Sequence, residues 1–146
     1  MTKPQPIPEG FHTVTPSLIV AGAREAIALY QAAFGAELKN AAPGPDGKSL
    51  IHAHLKIGDS SIFLMDENPR AAKTRTNMLI YVADVDAAFA RAANAGMRVI
   101  TPVADMFWGD RWGVLEDVFG NEWQLATHVE DVTPEEMQRR VQAFAG

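Results

Sequence analysis

No cysteine occurs in these 146 residues, which removes disulfides, zinc–thiolate sites and thiol nucleophiles together. Basic residues are in deficit as well: 13 Lys and Arg stand against 18 Asp and Glu, a formal net charge of −5. A chain without surplus cations has little to release phosphate counterions with, so nucleic acid is excluded as a partner. The balance leaves room for a neutral or cationic small molecule. No apolar run approaches a membrane span, and the opening MTKPQPIPEG puts prolines where a signal peptide needs an apolar core. The expectation is a cytoplasmic protein with no membrane partner. What is present is ordinary for a globular domain, with 47% hydrophobic and 21% charged residues.

The pattern along the chain reads as one plan used twice. Residues 1–12 are a Pro-rich, extended and loosely held arm. From His12 to Val20 the residues alternate, with Val14, Leu18 and Val20 on one face and Thr13, Thr15 and Ser17 on the other, and Pro16 puts this strand at an edge or a crossing. Ala26, Ile27, Leu29, Tyr30, Ala33 and Phe34 fall at helical spacing, so a helix runs over 23–34 and Gly35 stops it. A short strand covers 37–40 and a Pro/Gly loop 43–47. A hairpin follows: Ile51, Ala53, Leu55 and Ile57 oppose His52, His54 and Lys56, then Gly58-Asp59 turns into 60–66. Residues 67–75 connect the halves. The second half repeats strand (76–82), helix (85–95, ended by Gly96), strand (98–103) and a hairpin turned at Gly120, at an offset of 62 residues. Thr133-Pro-Glu-Glu136 is a capping box that opens a terminal helix within 129–146. The fold class is α+β: two tandem βαβββ modules, 13–66 and 76–128, forming a cupped mixed sheet with helices on its outer face.

On the face opposite the helices the alternation gathers Thr15, Ser17, His52, His54, Phe63, Asn77, Tyr81, Glu122 and Gln124, a semi-polar surface suited to a ligand. Trp123 is expected in the core beneath a helix, leaving Trp108 or Trp112 to line the site. Arg111 is either a clamp for a carboxylate or phosphonate or half of an ion pair with Asp110. Tyr81 is either a general acid or a buried hydroxyl with one partner. Glu130-Asp131 and Glu135-Glu136 read as a solvated segment and a helix start favoured by the dipole.

The helix ends Phe34-Gly35-Ala36 and Ala95-Gly96, with Glu116-Asp117-x-Phe119-Gly120-x-x-Trp123, resemble the vicinal oxygen chelate superfamily of glyoxalase I, extradiol dioxygenases and bleomycin and fosfomycin resistance proteins. Ile51-His52-Ala53, Gly58-Asp59, Tyr81-Val82-x-Asp84-Val85-Asp86, the run from Phe107 to Gly113 and Ala126-Thr127-His128 with Glu130-Asp131 resemble its PhnB-like branch. The resemblance spans about residues 13–140. It implies one domain, a homodimer, and a small organic ligand held in the cup between modules. In metal-using members four His or Glu ligands come from the first and last strands of each module; carried over, those positions are Thr15, Phe63, Asn77 and Gln124. These are poor ligands for a Lewis-acidic divalent ion, so no metal and no cofactor are expected. The alternative is a metal-dependent lyase, isomerase or dioxygenase with an ion on His52, His54 and a glutamate, Glu116 or Glu122.

Overall fold

The computed structural model describes residues 3–146, so the first two residues of the expected arm lie outside it. The chain divides into two compact units, Met1–Thr76 and Asn77–Gly146. Each holds one four-stranded mixed sheet and a helix against it, and the second adds a terminal helix. No helix among the described residues is long and apolar enough to cross a membrane.

In the first unit the elements are β1 (Ser17–Val20), α1 (Ala23–Phe34), β2 (Glu37–Pro43), β3 (Leu50–Ile57) and β4 (Ser60–Asp66), with sheet order β1-β4-β3-β2. β1 runs parallel to β4, and the other pairs are antiparallel. α1 has the predicted bounds. Gly35 enters the left-handed region, its N–H reaching the Gln31 carbonyl while the Ala36 N–H reaches Tyr30, which closes the helix. Its start is held from outside: Asp66 Oδ1 accepts from the N–H groups of Gly22 (3.0 Å) and Ala23 (2.8 Å), and Oδ2 from Leu50 N–H (2.7 Å). One carboxylate at the end of β4 thus satisfies the helix N-terminus and the first residue of β3. Ala23, Ala26, Ile27, Tyr30 and Ala33 are buried with Leu18, Val20, Leu55, Ile62 and Leu64 in the core.

Several expectations need correction in this unit, among them Val14, which is 78% exposed rather than in the core with Leu18 and Val20. β1 starts at Ser17, so Thr15 precedes the strand. β2 extends to Pro43 rather than stopping at Asn40. Ile51 is 58% exposed and Leu50 is buried in its place, because the β2–β3 register shifts between Ala42 and Pro43 and breaks the alternation. The segment 67–75 is more than a connector: Thr74 N–H donates to the Ile19 carbonyl, and Ile19 N–H to Thr74 Oγ1.

The second unit has β5 (Asn77–Tyr81), α2 (Val85–Asn94), β6 (Arg98–Asp105), β7 (Asp110–Glu116), β8 (Glu122–His128) and α3 (Pro134–Ala145), with sheet order β5-β8-β7-β6. The topology repeats: β5 is parallel to β8, and β6-β7-β8 is antiparallel. Asp84 caps α2 through Ala87 N–H, and Val85 N–H donates to Thr127 Oγ1 of β8. Trp123 lies in the core as expected, its indole N–H donating to Asp117. Gly113 brings β7 close to α2, since a Cβ there would lie 2.7 Å from Phe89 Cε2. Thr133 caps α3 through Glu136 N–H, and the Glu136 carboxylate binds Arg139 and Arg140.

Candidate functional site

Strand parity sorts the side chains of each sheet. In the second unit Gly113 faces Phe89 of α2, so its β8 partner Leu125, and Leu115 with its partner Trp123, share that side. Trp112, Val114, Gln124 and Glu122 therefore face away from α2, together with Asn77, Leu79 and Tyr81 of β5.

On this outward face a line of hydrogen bonds crosses three strands. Trp112 Nε1–H donates to Gln124 Oε1 (2.8 Å), Gln124 Nε2–H to Asn77 Oδ1 (2.7 Å), and Asn77 Nδ2–H to Glu122 Oε2 (3.4 Å). Beside it, Asp110 gathers three more residues. It is 3% exposed and accepts from Tyr81 Oη–H (2.7 Å) and Trp108 Nε1–H (3.2 Å), while Oδ1 lies 2.8 Å from His128 Nδ1. Burial pushes the Asp110 carboxyl up, but the hydrogen bonds from His128, Tyr81 and Trp108 outweigh it and hold it below the ordinary value. The same bond to Asp110, aided by burial, raises the Tyr81 hydroxyl. His128 Nε2 in turn lies 2.7 Å from Asp131. Carboxylates only accept, so an imidazole that serves both is doubly protonated, in keeping with the raised basicity that Asp110 and Asp131 confer on His128. Trp108 stands edge-on to Trp112 at 5.3 Å.

In the first unit the corresponding face carries a ring cluster. His52 meets Phe63 at 4.6 Å, His54 meets it at 5.7 Å, and Phe11 lies over both His54 (4.8 Å) and Phe63 (5.7 Å). Ser61 Oγ donates to the Gly10 carbonyl at 3.2 Å and lies 2.9 Å from His54 Nε2. The arm is thus tied down at Gly10 and Phe11, against the expectation of a loose segment. Burial beneath it, with the nearby charges of His52, Lys39 and Lys56, lowers the His54 pKa.

The structure brings Asn77, Gln124 and Trp112 into one line and sets Tyr81 and Trp108 on Asp110. His52, His54 and Phe63 form a separate cluster, and Thr15 is in none of these contacts. Arg111 has the opposite parity from Trp112: its guanidinium takes both oxygens of Asp86 on α2 (2.9 Å each) and Asp105 (3.2 Å), so the expected ion pair exists but not with Asp110. Tyr81 is 61% exposed rather than buried. Asp110 and His128 are the residues that the sequence reading passed over as parts of this surface, while Glu122 lies on it as expected. The hairpin register counted back from Gly120 pairs Asp110 with His128 and was the signal available.

Do these residues suit a divalent ion? Phe63 offers carbon only, Gln124 Oε1 already accepts from Trp112, and Asn77 Oδ1 already accepts from Gln124. Among the described residues no three His, Asp or Glu side chains converge as a metal site. The donor set does not fit the superfamily's ion.

The family model of the Glyoxalase/Bleomycin resistance protein/Dioxygenase superfamily matches residues 10–125. The chain belongs to this superfamily. An uncharacterized protein of Mycobacterium bovis is 40% identical over 136 residues, spanning 86% of this chain and 89% of that one. Among solved structures, the superfamily fold is shared with TioX from Micromonospora sp. ML1, with a TM-score of 0.65 at 23% identity over 80% of this chain and 99% of that one. It is shared also with the PhnB protein from Bacillus cereus, with a TM-score of 0.59 at 19% identity over 80% of this chain and 99% of that one.

Proposed function

We propose that this superfamily member is a PhnB-like protein that binds a small organic molecule without a divalent ion, using the outward face of the second unit. The reading is supported above all by the Trp112–Gln124–Asn77 line. It fixes a flat indole and two amides on one rigid sheet, and it consumes the amide oxygens that a metal would need. Trp112, Leu79 and Trp108 supply apolar contact; Gln124, Asn77 and Tyr81 supply orientation. The branch assignment is supported by the motifs at Tyr81–Asp86 and Phe107–Gly113 and by the likeness to the PhnB protein.

The same reading takes the chain as a cytoplasmic homodimer, and a monomer by light scattering removes that part of it. Native mass spectrometry with elemental analysis of the purified protein tests the rest. An organic adduct without a stoichiometric metal is expected, and Trp112→Ala together with Gln124→Ala should abolish the adduct. A stoichiometric divalent ion that disappears in His52→Ala would replace this reading with a metal-dependent enzyme.

A further inference from the structure

The two units differ in charge. Residues 77–146 contain no lysine, and their five arginines stand against eleven Asp and Glu; residues 1–76 hold eight Lys and Arg against seven Asp and Glu. The chain's negative balance therefore lies in the unit that carries the Trp112 line. There, Arg98 binds Glu116, Arg111 binds Asp86 and Asp105, and Arg139 and Arg140 bind Glu136 and Glu130. His128 spends both N–H groups on Asp110 and Asp131.

The carboxylates of the outward face are committed in the same way, with one exception. Asp110 holds His128, and Glu116 holds Arg98. Among the described residues Glu122 has no ion-pair partner; its recorded contact is the long one from Asn77 Nδ2–H. The hydrogen bonds of the line all point their donors toward this end, so their aligned dipoles favour negative charge on Glu122. At the other end the Tyr81 hydroxyl donates its hydrogen bond to Asp110 and offers a ligand only oxygen lone pairs. Tyr81 and Glu122 are four residues apart along paired strands, roughly 13 Å at strand rise, with Leu79 and Gln124 between them and Trp112 on β7 level with Tyr81.

We infer that this face selects a planar molecule with a cationic, N–H-bearing head group, seated on Glu122, over its neutral and anionic counterparts. The inference rests on the ligand-binding reading above and names the class of guest. An anion here would meet the Glu122 carboxylate, with the neighbouring cations already held by other carboxylates. A cation gains a charge-assisted hydrogen bond that displaces little.

Three matched probes test it: 2-naphthamidinium, 2-naphthamide and 2-naphthoate, titrated into the full chain by calorimetry while NMR follows the Trp112 indole N–H. Naphthamidinium should bind about tenfold tighter than naphthamide, with naphthoate weakest. Glu122→Gln should erase the tenfold preference of naphthamidinium over naphthamide. If naphthoate binds tightest, or the preference survives Glu122→Gln, while the Trp112 signal still moves, the class is wrong and the site reading stands. If no probe moves the Trp112 signal, both fall.

Discussion

In the first unit α1 buries five residues and the chain's own Phe11 lies over His54 and Phe63 of the outward face, whereas α2 of the second buries only Val85 and Ala92 and its outward face leaves Leu79 and Tyr81 exposed. The strands follow suit only in part. β3 and β4 put Leu50, Ala53, Leu55, Ile57, Ile62 and Leu64 into the core, and their counterparts β7 and β8 bury Val114, Leu115, Trp123, Leu125 and Ala126. But β1 buries Leu18 and Val20 where β5 buries nothing. One βαβββ plan is thus finished in two ways, once as a closed, nearly neutral body and once as an open, acidic one. The same topology carries a ring cluster under Phe11 in one copy and the Trp112–Gln124–Asn77 line in the other.

The largest effect should come from the segment that anchors the open unit's C-terminal stretch. The Gly109 carbonyl accepts from Val129 and Glu130 N–H, its φ is +103°, and a Cβ would lie 2.2 Å from the Glu130 oxygen. Gly109→Ala is expected to cost about 3 kcal/mol or more in urea denaturation, and a loss below about 1 kcal/mol would show that this stretch is not held there. Next, Leu55→Ala should cost about 3 kcal/mol against less than about 1 for Leu79→Ala, which is 37% exposed; equal losses would erase the contrast between closed and open units.

The smallest effect is the most specific, and its sign differs between units. His54 is depressed below the ordinary imidazole value of 6.5, so its contribution is full above 6.5 and is lost as pH falls toward its folded pKa. His128 is raised, so its contribution is full below 6.5 and is lost as pH rises through its folded pKa. NMR titration should place the two midpoints on opposite sides of 6.5, and Phe11→Ala should move only the His54 midpoint upward. Midpoints on the same side would break the comparison.

Much of this was legible in advance, because local chemistry determined it. The spacing of Ala26, Ile27, Tyr30 and Ala33 before Gly35 placed α1, and Thr133-Pro134 placed α3. Trp123 was readable as core from its place beneath a helix. Ile51 was misread because a register shift near Pro43 leaves no mark in the alternation of β3 itself. The partner of Arg111 was illegible for a different reason: Asp86 is 25 residues away on another element, and only packing brings the two together. Phe11 followed a Pro-rich stretch that composition marks as loose, and its hold on His54 depends on a face that exists only after the sheet has formed.

Asp66 carries a consequence for the order of folding. The first turn of α1 cannot satisfy its leading N–H groups from within, and the carboxylate that does so arrives 43 residues later, at the far end of β4. Thr127 of β8 does the corresponding service for Val85, while donating its own hydroxyl to the Val82 carbonyl. Each module therefore closes on itself: its last strand supplies an acceptor to the start of its own helix, and a truncated βαββ fragment would lack Asp66 at α1 or Thr127 at α2, where Asp84 alone would remain as cap. A sequence that carries its own closing residue in this way can be copied end to end without borrowing from its neighbour, which is the condition a tandem fold has to meet.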